Sequence, residues 1–469
     1  GTEVLDKVGA PDKILLKGMI VTPDLAFAGE VLVVGDTITC VAASCAADPN
    51  AAAASVVTTN GVILPGLIDT HNHILFDVFD EADWAPTQSY TNHNQWPNDP
   101  RYHAMVDAKQ YLNGEGSSPV DFNCELDKYG ELKGLIAGTT SIAGSATPPS
   151  NKACYGSLAR TADQSPNGLA TDKVQVATLF PSKATADGVC TNFASGKTAA
   201  YLIHIAEGVD ASALSEFGKL GTISTTPGCL YAPKTSIVHG TALGDPELTI
   251  MATNSMDLIW SPQSNVFLYG AGTDLTKTTD VKLAIAKGIN VSIAPDWSIG
   301  GSQNMLDELR FADKVDNAVF GDILTPQTLV QMATTHPAKA LGLDAVIGSI
   351  AVGKKADLLV IDGDPLAPFD AVLVATPREV RLVMVGGVPL YGDLALKALG
   401  PASPGCEEVG VCTRCKFMCV ATTGGLPTDK LAQTYADMEA ALSKGMSDYD
   451  ALNLTQWDFA PIAPLIKCQ

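Results

Sequence analysis

Five side chains that can bind a metal ion stand at the ends of short apolar runs in this chain: His71, His73, His204, His239 and Asp296. Residues two apart in an extended strand point to the same side, so His71 and His73 can direct two imidazoles at one ion. Three His and a carboxylate, with a water completing the coordination, are a suitable ligand set for a zinc-like catalytic ion. The pattern therefore predicts a catalytic metal site.

The segments that must position these residues read as alternating strands and helices. From Gly61 onward, short apolar runs are separated by longer stretches with helical periodicity, as in βα units. Counting one weaker run, there are about eight, the number that closes a parallel barrel, and barrel active sites form at the C-terminal ends of the strands. The runs are Val62–Ile68, Gly138–Ala143, Ala153–Ala159 (the weaker one), Val174–Phe180, Ala199–His204, Thr235–His239, Met256–Trp260 and Asn290–Ala294.

Both flanks of this region carry further β patterns. In the C-terminal tail, the pattern predicts an amphipathic helix near Lys430–Lys444. We therefore predict an α/β fold: a (β/α)8 TIM-like barrel, a small β-sandwich domain built from both flanks of the chain, and a Cys-rich C-terminal extension. The predicted boundaries are 1–62 for the N-terminal part of the sandwich, 63–343 for the metal-dependent barrel, 344–395 for the C-terminal part of the sandwich, and 396–469 for the extension.

Eleven cysteines are present, and four of them cluster in the tail at Cys406, Cys412, Cys415 and Cys419. We predict disulfides there, and structural zinc is the alternative. Disulfides are favoured because a zinc site needs close Cys/His pairs and no His lies near the cluster. Cys40–Cys45 and Cys154–Cys190 are the further predicted bridges. Disulfides persist in oxidising compartments, so we expect a periplasmic or secreted protein; the chain starts without a signal peptide, as it would after removal of its leader.

The composition excludes several other classes of protein. The chain has 469 residues, 46% of them hydrophobic, and a net charge of -21. Such apolar content is unlike that of disordered chains, and the acidity disfavours nucleic acid and anionic membranes as partners. No apolar run reaches the length of a membrane span. The expected partner is a small-molecule substrate, with homo-oligomerisation left open.

The candidate ligands lie in stretches that resemble the amidohydrolase superfamily, in its mononuclear metal-dependent branch of cytosine and guanine deaminases and triazine hydrolases. The resemblance runs from about Lys13 to Asp393, and the tail does not match. The stretches that carry it are Leu64–His73 (LPGLIDTHNH), His204–Gly208 (HIAEG), Val238–Gly240 (VHG), Trp260–Asn265 (WSPQSN), Pro295–Trp297 (PDW) and Gly348–Leu359 (GSIAVGKKADLL).

The resemblance implies a role for each of these residues. Glu207 would be the proton shuttle, and His239 would hydrogen-bond the attacking water or the attacked group. One divalent ion, zinc first and iron as the alternative, would be bound by His71, His73, His204 and Asp296. Asp296 would also accept a proton from the attacking water. A second branch of the superfamily uses two metals bridged by a modified lysine, for which only Lys183 is placed.

The implied activity is that of a metal-dependent hydrolase acting on C–N bonds other than peptide bonds. Water activated by the metal would attack an sp2 carbon of a small molecule, deaminating or dehalogenating a nitrogen heterocycle. The alternatives are hydrolysis of an amide, carbamate or ester, and a non-catalytic exported binding protein on the same barrel. We expect His93 and His103 at the surface and His336 in support of a late helix. The candidates for the substrate pocket are Trp84, Trp96, Tyr102, Ser264 and Asn265.

Overall fold

The computed structural model describes residues 3–144, 154, 156–164, 167–169, 173–421 and 430–468. Eighteen strands lie in this part of the chain. They are β1 (Val4–Lys7), β2 (Ala10–Val21), β3 (Ala26–Val34), β4 (Thr37–Ala42), β5 (Ala54–Pro65), β6 (Leu67–Asp69), β7 (Thr139–Ile142), β8 (Arg160–Thr161), β9 (Val174–Ala177), β10 (Ala200–Ile205), β11 (Thr235–His239), β12 (Asp257–Trp260), β13 (Val291–Ile293), β14 (Leu358–Ile361), β15 (Val380–Val385), β16 (Val388–Asp393), β17 (Glu407–Val411) and β18 (Arg414–Met418).

One sheet of ten strands draws on both flanks of the chain. Its order is β17-β18-β16-β15-β14-β5-β2-β3-β4, with β1 also paired to β5. The flanks meet where Leu358–Ile361 runs antiparallel to Val62–Pro65. The tail, predicted as a separate extension, adds β17 and β18 to this sheet. Strand β18 pairs antiparallel with β16, and β17 pairs antiparallel with β18. The predicted domain boundaries stay a prediction.

Eight short parallel strands form the part of the fold that positions the candidate ligands. They lie in two sheets, β6-β7-β8 and β9-β10-β11-β12-β13. The two sheets meet beyond the ends of β6 and β13, where the backbone N–H of His73 donates to the carbonyl of Asp296 at 2.7 Å and that of Asp296 donates to the carbonyl of His71 at 3.0 Å. The arrangement is TIM-barrel-like, and a closed ring stays a prediction.

The third of these strands differs from the sequence-based expectation. It was predicted at Ala153–Ala159, of which 153 and 155 lie outside the described residues, and the structure places it at Arg160–Thr161. It pairs in parallel with β7, with Arg160 opposite Ser141 and Thr161 opposite Ile142. The Arg160 guanidinium also makes a buried ion pair with Asp357, at 2.8 Å. A strand of two polar residues gives no apolar run that could reveal it.

The helices are α1 (Pro100–Leu112), α2 (Asn123–Leu135), α3 (Lys183–Ser195), α4 (Ala211–Leu220), α5 (Asp245–Thr253), α6 (Pro262–Tyr269), α7 (Val281–Ala286), α8 (Met305–Val315), α9 (Pro326–Gln331), α10 (Thr335–Ala340), α11 (Pro368–Val374) and α12 (Tyr435–Asp450). None of the helices in the described part of the chain is long and apolar enough to cross a membrane.

The helix predicted near Lys430–Lys444 is α12, shifted toward the C-terminus. It begins after Thr434, whose side chain accepts a hydrogen bond from the backbone N–H of Asp437 in a capping box. Its buried residues recur at three- and four-residue intervals on one face, which packs against α1 and α2. The capping box, rather than the start of the polar stretch, sets the first residue of the helix.

Five disulfides join ten of the eleven cysteines. Cys40–Cys45 is confirmed. The predicted Cys154–Cys190 bridge is wrong, because Cys154 pairs with Cys124 and Cys190 pairs with Cys229. In the tail, the pairs are Cys406–Cys419 and Cys412–Cys468, and Cys415 is free and exposed. Pairing requires Cα atoms about 4.4–6.8 Å apart, which only the folded chain determines.

Candidate active site

The C-terminal ends of the parallel strands bring the predicted metal-binding residues together. His71 and His73 follow β6, His204 lies in β10, His239 ends β11, and Asp296 follows β13. The imidazole of His71 has its centroid 4.5 Å from that of His204 and 5.1 Å from that of His239. The carboxyl ends of parallel strands share one edge, so four separate strands can present side chains to one point.

The donor atoms of this cluster fit a metal ion. Ligand atoms of His71, His73 and His204 lie within 4.8 Å of one another, as do those of His71, His239 and Asp296. Nε2 of His71 lies 2.7 Å from Oδ1 of Asp296, yet this buried nitrogen and Nε2 of His204 make no hydrogen bond within the described part of the chain. Buried polar atoms are normally satisfied, and a cation between these atoms would satisfy them.

The histidines of the cluster are in the neutral form that metal binding requires. Burial lowers the pKa of His71, His204 and His239 well below the ordinary value, and it lowers that of His73 as well. Nδ1 of His204 lies 3.0 Å from the carbonyl oxygen of Ala177. A carbonyl only accepts, so Nδ1 carries the proton and Nε2 presents a lone pair to the cluster.

Helix α6 holds two of these side chains from behind. The hydroxyl of Ser264 donates to Oδ2 of Asp296 at 2.5 Å, and Nδ2 of Asn265 lies 3.2 Å from Nδ1 of His239. Both serine and asparagine are fully buried. Predicted as residues of the substrate pocket, they lie outside the residues that line the cavity. The structure places them as supports of the site.

Glu207 lies beside the cluster with its two carboxylate oxygens in different surroundings. Oε1 accepts a hydrogen bond from the hydroxyl of Tyr269 at 2.9 Å, and Oε2 lies 3.8 Å from Nε2 of His239. Burial, and then the negative charge of Asp296, raises the pKa of Glu207 to about 8. Near neutral pH the carboxyl group can therefore both hold and release a proton.

At the ends of three strands, one residue each has a backbone conformation that non-glycine residues rarely adopt. Ala206, His239 and Asp296 have φ angles of 58°, 67° and 72°. The left-handed region costs about 1–3 kcal/mol for such residues, and this strain is concentrated at functional sites. Here it turns the chain sharply at the strand ends, so that Glu207, His239 and Asp296 face one space.

That space is a cavity of about 270 Å³ with aromatic walls and a polar floor. Glu207, His239 and Asp296 lie at its floor. Trp96 and Tyr102, both predicted, line it, whereas Trp84 is buried behind them, its ring centroid 5.0 Å from that of Tyr102. The remaining side chains that line the cavity are His73, Phe76, His93, Pro97, Thr178, Leu179, His204 and Trp297.

The expectation for His93 is wrong, whereas the two-metal arrangement that needs Lys183 was only the alternative to the predicted single ion. His93, expected at the surface, lines the cavity, and its Nε2 lies 2.5 Å from a carboxylate oxygen of Glu216. Lys183, the only candidate to bridge two metals, begins α3 as an exposed residue paired with Asp187 at 3.4 Å. By contrast, His103 is exposed as expected. Nδ1 of His336, in α10, lies 2.9 Å from the carbonyl oxygen of Val291 in β13.

Sequence reasoning missed Trp297, Phe76 and Tyr269. Trp297 directly follows Asp296, so its place after a strand end is a signal that was available. Asn265 and Tyr269 lie four residues apart on α6 and therefore share a helix face. His93 carries no such signal, because its partner Glu216 is distant in the sequence.

Comparison with known proteins agrees with this arrangement. The model of the amidohydrolase family matches residues 203–390, which include Glu207, His239 and Asp296. Over this part of its length the chain is similar to the amidohydrolase family.

Proteins similar to this chain include deaminases. The chain is 33% identical over 171 residues, 34% of its length, to the 5-methylthioadenosine/S-adenosylhomocysteine deaminase of Acetivibrio thermocellus, of which the match covers 38%. It is 25% identical to the enzyme of the same name from Symbiobacterium thermophilum over 381 residues, 74% of this chain and 85% of that protein.

The fold of this chain is similar to that of a solved structure of atrazine chlorohydrolase from Arthrobacter aurescens complexed with zinc. The TM-score is 0.65 at 16% sequence identity, and the match covers 92% of this chain and all of the other. At this identity the likeness shows the fold alone.

Proposed function

We propose that this protein is a metal-dependent hydrolase of the amidohydrolase superfamily that acts on C–N bonds other than peptide bonds, and that it deaminates or dehalogenates a small nitrogen heterocycle. The observation that carries the proposal is the position of Glu207 and His239. Both face the cluster of three histidines and Asp296 across the floor of one aromatic cavity. A carboxyl group and an imidazole beside side chains that could bind a metal support an activity of this kind.

We infer that His71, His73, His204 and Asp296 would hold one divalent ion, zinc first and iron as the alternative. The unpartnered Nε2 atoms of His71 and His204 support this assignment, as does the donor set of imidazoles and one carboxylate. When bound, such an ion acidifies water and so makes a nucleophile available at neutral pH.

Each polar residue at the floor has a separate task in the proposal. Asp296, held by Ser264, accepts a proton from the attacking water. Glu207 delivers a proton to the ring nitrogen or the leaving group, for which its raised pKa suits it. His239 donates from Nε2 to the group on which negative charge develops.

The walls of the cavity favour a flat, uncharged substrate. Phe76, Trp96, Tyr102 and Trp297 provide aromatic faces and edges for a ring. Among the described residues that line this cavity, none is Lys or Arg, and Lys109 lines the adjoining pocket on the other side of Phe76. A neutral aminated or chlorinated heterocycle satisfies both features.

The test combines a substrate panel with one substitution. Ammonia release is measured with guanine, adenosine and 5'-deoxyadenosine, and chloride release with atrazine, on the wild type, on Glu207→Gln and on Glu308→Gln. Glu308 is also a buried glutamate, but it lies on α8 outside the cavity. Glu207→Gln should abolish turnover with its metal content intact, whereas Glu308→Gln should keep most of it. Full turnover by Glu207→Gln would refute the proposed role, and release of a carboxylic acid from amide or ester substrates alone would indicate the other hydrolytic activity.

We also propose that the protein works in the periplasm or outside the cell. Five disulfides in one chain are typical of an oxidising compartment. Alkylation of free thiols in freshly lysed source cells, followed by mass spectrometry, should label Cys415 alone. Labelling of all eleven cysteines would place the protein in a reducing compartment.

A further inference from the structure

Tyr269 is a buried tyrosine whose hydroxyl reaches the proposed proton-transferring residue. It ends α6 and is 1% exposed. Its hydroxyl donates to Oε1 of Glu207 at 2.9 Å and lies 3.4 Å from the backbone oxygen of the same residue. A phenol has one proton to donate, and the shorter contact takes it.

The other side of the tyrosine oxygen contacts the cavity wall. The indole N–H of Trp96 points at this oxygen from 3.5 Å, and the ring of Trp96 lines the cavity. The phenol oxygen accepts from the indole N–H of Trp96, and the phenol O–H donates to Glu207. These two contacts orient the phenol so that its proton faces Oε1. The backbone N–H of Tyr90 donates to the carbonyl of Leu268 at 3.1 Å, which ties the loop before Trp96 to the end of α6.

The two oxygens of Glu207 are thereby made unequal. Oε1 is occupied by a neutral donor that keeps its proton, because burial and the neighbouring carboxylate raise the pKa of Tyr269 well above its ordinary value. Oε2 accepts no such hydrogen bond from the described part of the chain, and it lies on the side of His239, 3.8 Å from Nε2. Rotation of the carboxyl group would exchange the two oxygens, and the hydrogen bond from Tyr269 opposes that rotation.

We propose that Tyr269 is the positioning residue that anchors Oε1 of Glu207 and so selects Oε2 as the oxygen that carries the mobile proton. This inference rests on the proposed function. In the step it serves, the O–H bond at Oε2 breaks as the proton goes to the ring nitrogen or leaving group of the substrate. The attacking water supplies the proton that later restores Glu207.

Helix α6 then supports three functional side chains at once. Ser264 holds Asp296, Asn265 holds His239, and Tyr269 holds Glu207. Such supporting contacts orient the reacting groups, and their loss typically costs about 10–100-fold in activity or metal affinity. A tyrosine that merely filled space would make no contribution through its hydroxyl.

The test is Tyr269→Phe, with Tyr201→Phe as the matched control. Tyr201 is 2% exposed, lies in β10 with His204, and its hydroxyl has no hydrogen-bond partner within the described residues. Tyr269→Phe should lower kcat about 10–100-fold with KM and metal content unchanged, and Tyr201→Phe should leave kcat unchanged. The limb of the pH profile that reports Glu207 should move to higher pH, since loss of a donor raises the pKa of a carboxyl group.

Measurements with the same substrate separate the possible failures. Unchanged kcat in Tyr269→Phe, or a raised KM with unchanged kcat, overturns the positioning role if Glu207→Gln is inactive. Turnover in Glu207→Gln equal to that of the wild type overturns the proposed function itself. Should Tyr269→Phe not fold, 3-fluorotyrosine at position 269 keeps the shape and donates more strongly. It should move the same limb to lower pH, and an unmoved limb overturns the inference.

The groups that face Glu207 come from four parts of the fold, and each is unchanged in these variants. They are His93 from the loop before α1, Glu216 from α4, His239 from β11 and Asp296 after β13. A shift of the pH profile in Tyr269→Phe but not in Tyr201→Phe therefore reports the lost hydroxyl.

Discussion

The hydroxyl of Ser264 lies 2.5 Å from Oδ2 of Asp296, and the other oxygen of the same carboxylate lies 2.7 Å from Nε2 of His71. One oxygen of Asp296 is thus held by α6 while the other faces the proposed metal ligands. The carboxylate is oriented before any ion binds, which favours a fixed coordination geometry.

Removal of the serine hydroxyl should weaken metal binding. In Ser264→Ala the carboxylate of Asp296 loses its donor and can rotate away from His71, so the metal affinity should fall about 10–100-fold. Competition with a chromophoric chelator measures it. Ser261→Ala is the control, since the Ser261 hydroxyl is also buried but makes no hydrogen bond within the described residues. Equal affinities in the two variants would contradict the support role.

Asn265 should set the tautomer of His239. Its Oδ1 accepts from the hydroxyl of Thr278 at 3.3 Å, which turns its amide N–H toward Nδ1 of His239. Nε2 then carries the proton that faces Glu207 and the cavity. In Asn265→Asp a carboxylate would accept from Nδ1 instead and favour the wrong tautomer or the imidazolium.

The expected result for Asn265→Asp is a fall in kcat of about 10²–10⁴-fold, the usual range for a misplaced acid–base group, with the metal content retained. Steady-state kinetics and elemental analysis measure the two quantities. Asn254→Asp, at the exposed end of α5, is the control and should match the wild type. Wild-type kcat in Asn265→Asp would show that the tautomer of His239 is set elsewhere.

The buried carboxyl group of Glu308 should make the free energy of unfolding depend on pH. Burial raises the pKa of Glu308 to about 8, against a hydrogen bond from Ser302 that lowers it. The folded chain therefore binds a proton there that the unfolded chain has released between the ordinary pKa of 4.5 and about 8. Stability from this group is complete below that window and is lost as the pH rises through it, at up to about 1.4 kcal/mol per pH unit.

Urea unfolding of the wild type and of Glu308→Gln at pH 5 and pH 8 measures this effect. The loss of unfolding free energy between the two pH values should be smaller in the variant, because glutamine does not titrate. An identical loss in both proteins would show that other buried carboxyl groups account for the pH dependence.

The bridge between Cys412 and Cys468 should stabilise the fold by joining the hairpin of β17 and β18 to the segment that follows α12. It spans 56 residues in the sequence, and a disulfide that closes a loop of this size typically contributes about 2–4 kcal/mol. Cys468→Ser should lower the free energy of unfolding in urea accordingly. Cys415→Ser removes an exposed free thiol from the same hairpin and should change little. Equal stability of the two variants would contradict the prediction.

Local patterns in the sequence anticipate much of the fold. The structure places strands within most of the predicted apolar runs, because runs of β-branched and apolar residues bounded by turns identify buried strands without knowledge of their neighbours. The strand at Arg160–Thr161 lies beyond its predicted range, since its two residues are polar and give no apolar run. The start of α12 was predicted too early, because the capping box at Thr434 sets the first residue of the helix.

The sequence by itself determined which side chains could bind a metal, since a spacing of two residues and a place at a strand end are local properties that survive folding. Only the tertiary structure decided which cysteines pair, which aromatic rings line the cavity, and that Tyr269 reaches Glu207. Those contacts join residues far apart in the chain; Tyr269 and Glu207 are 62 residues apart. Their formation depends on how the helices pack around the parallel strands, and no local pattern encodes that packing.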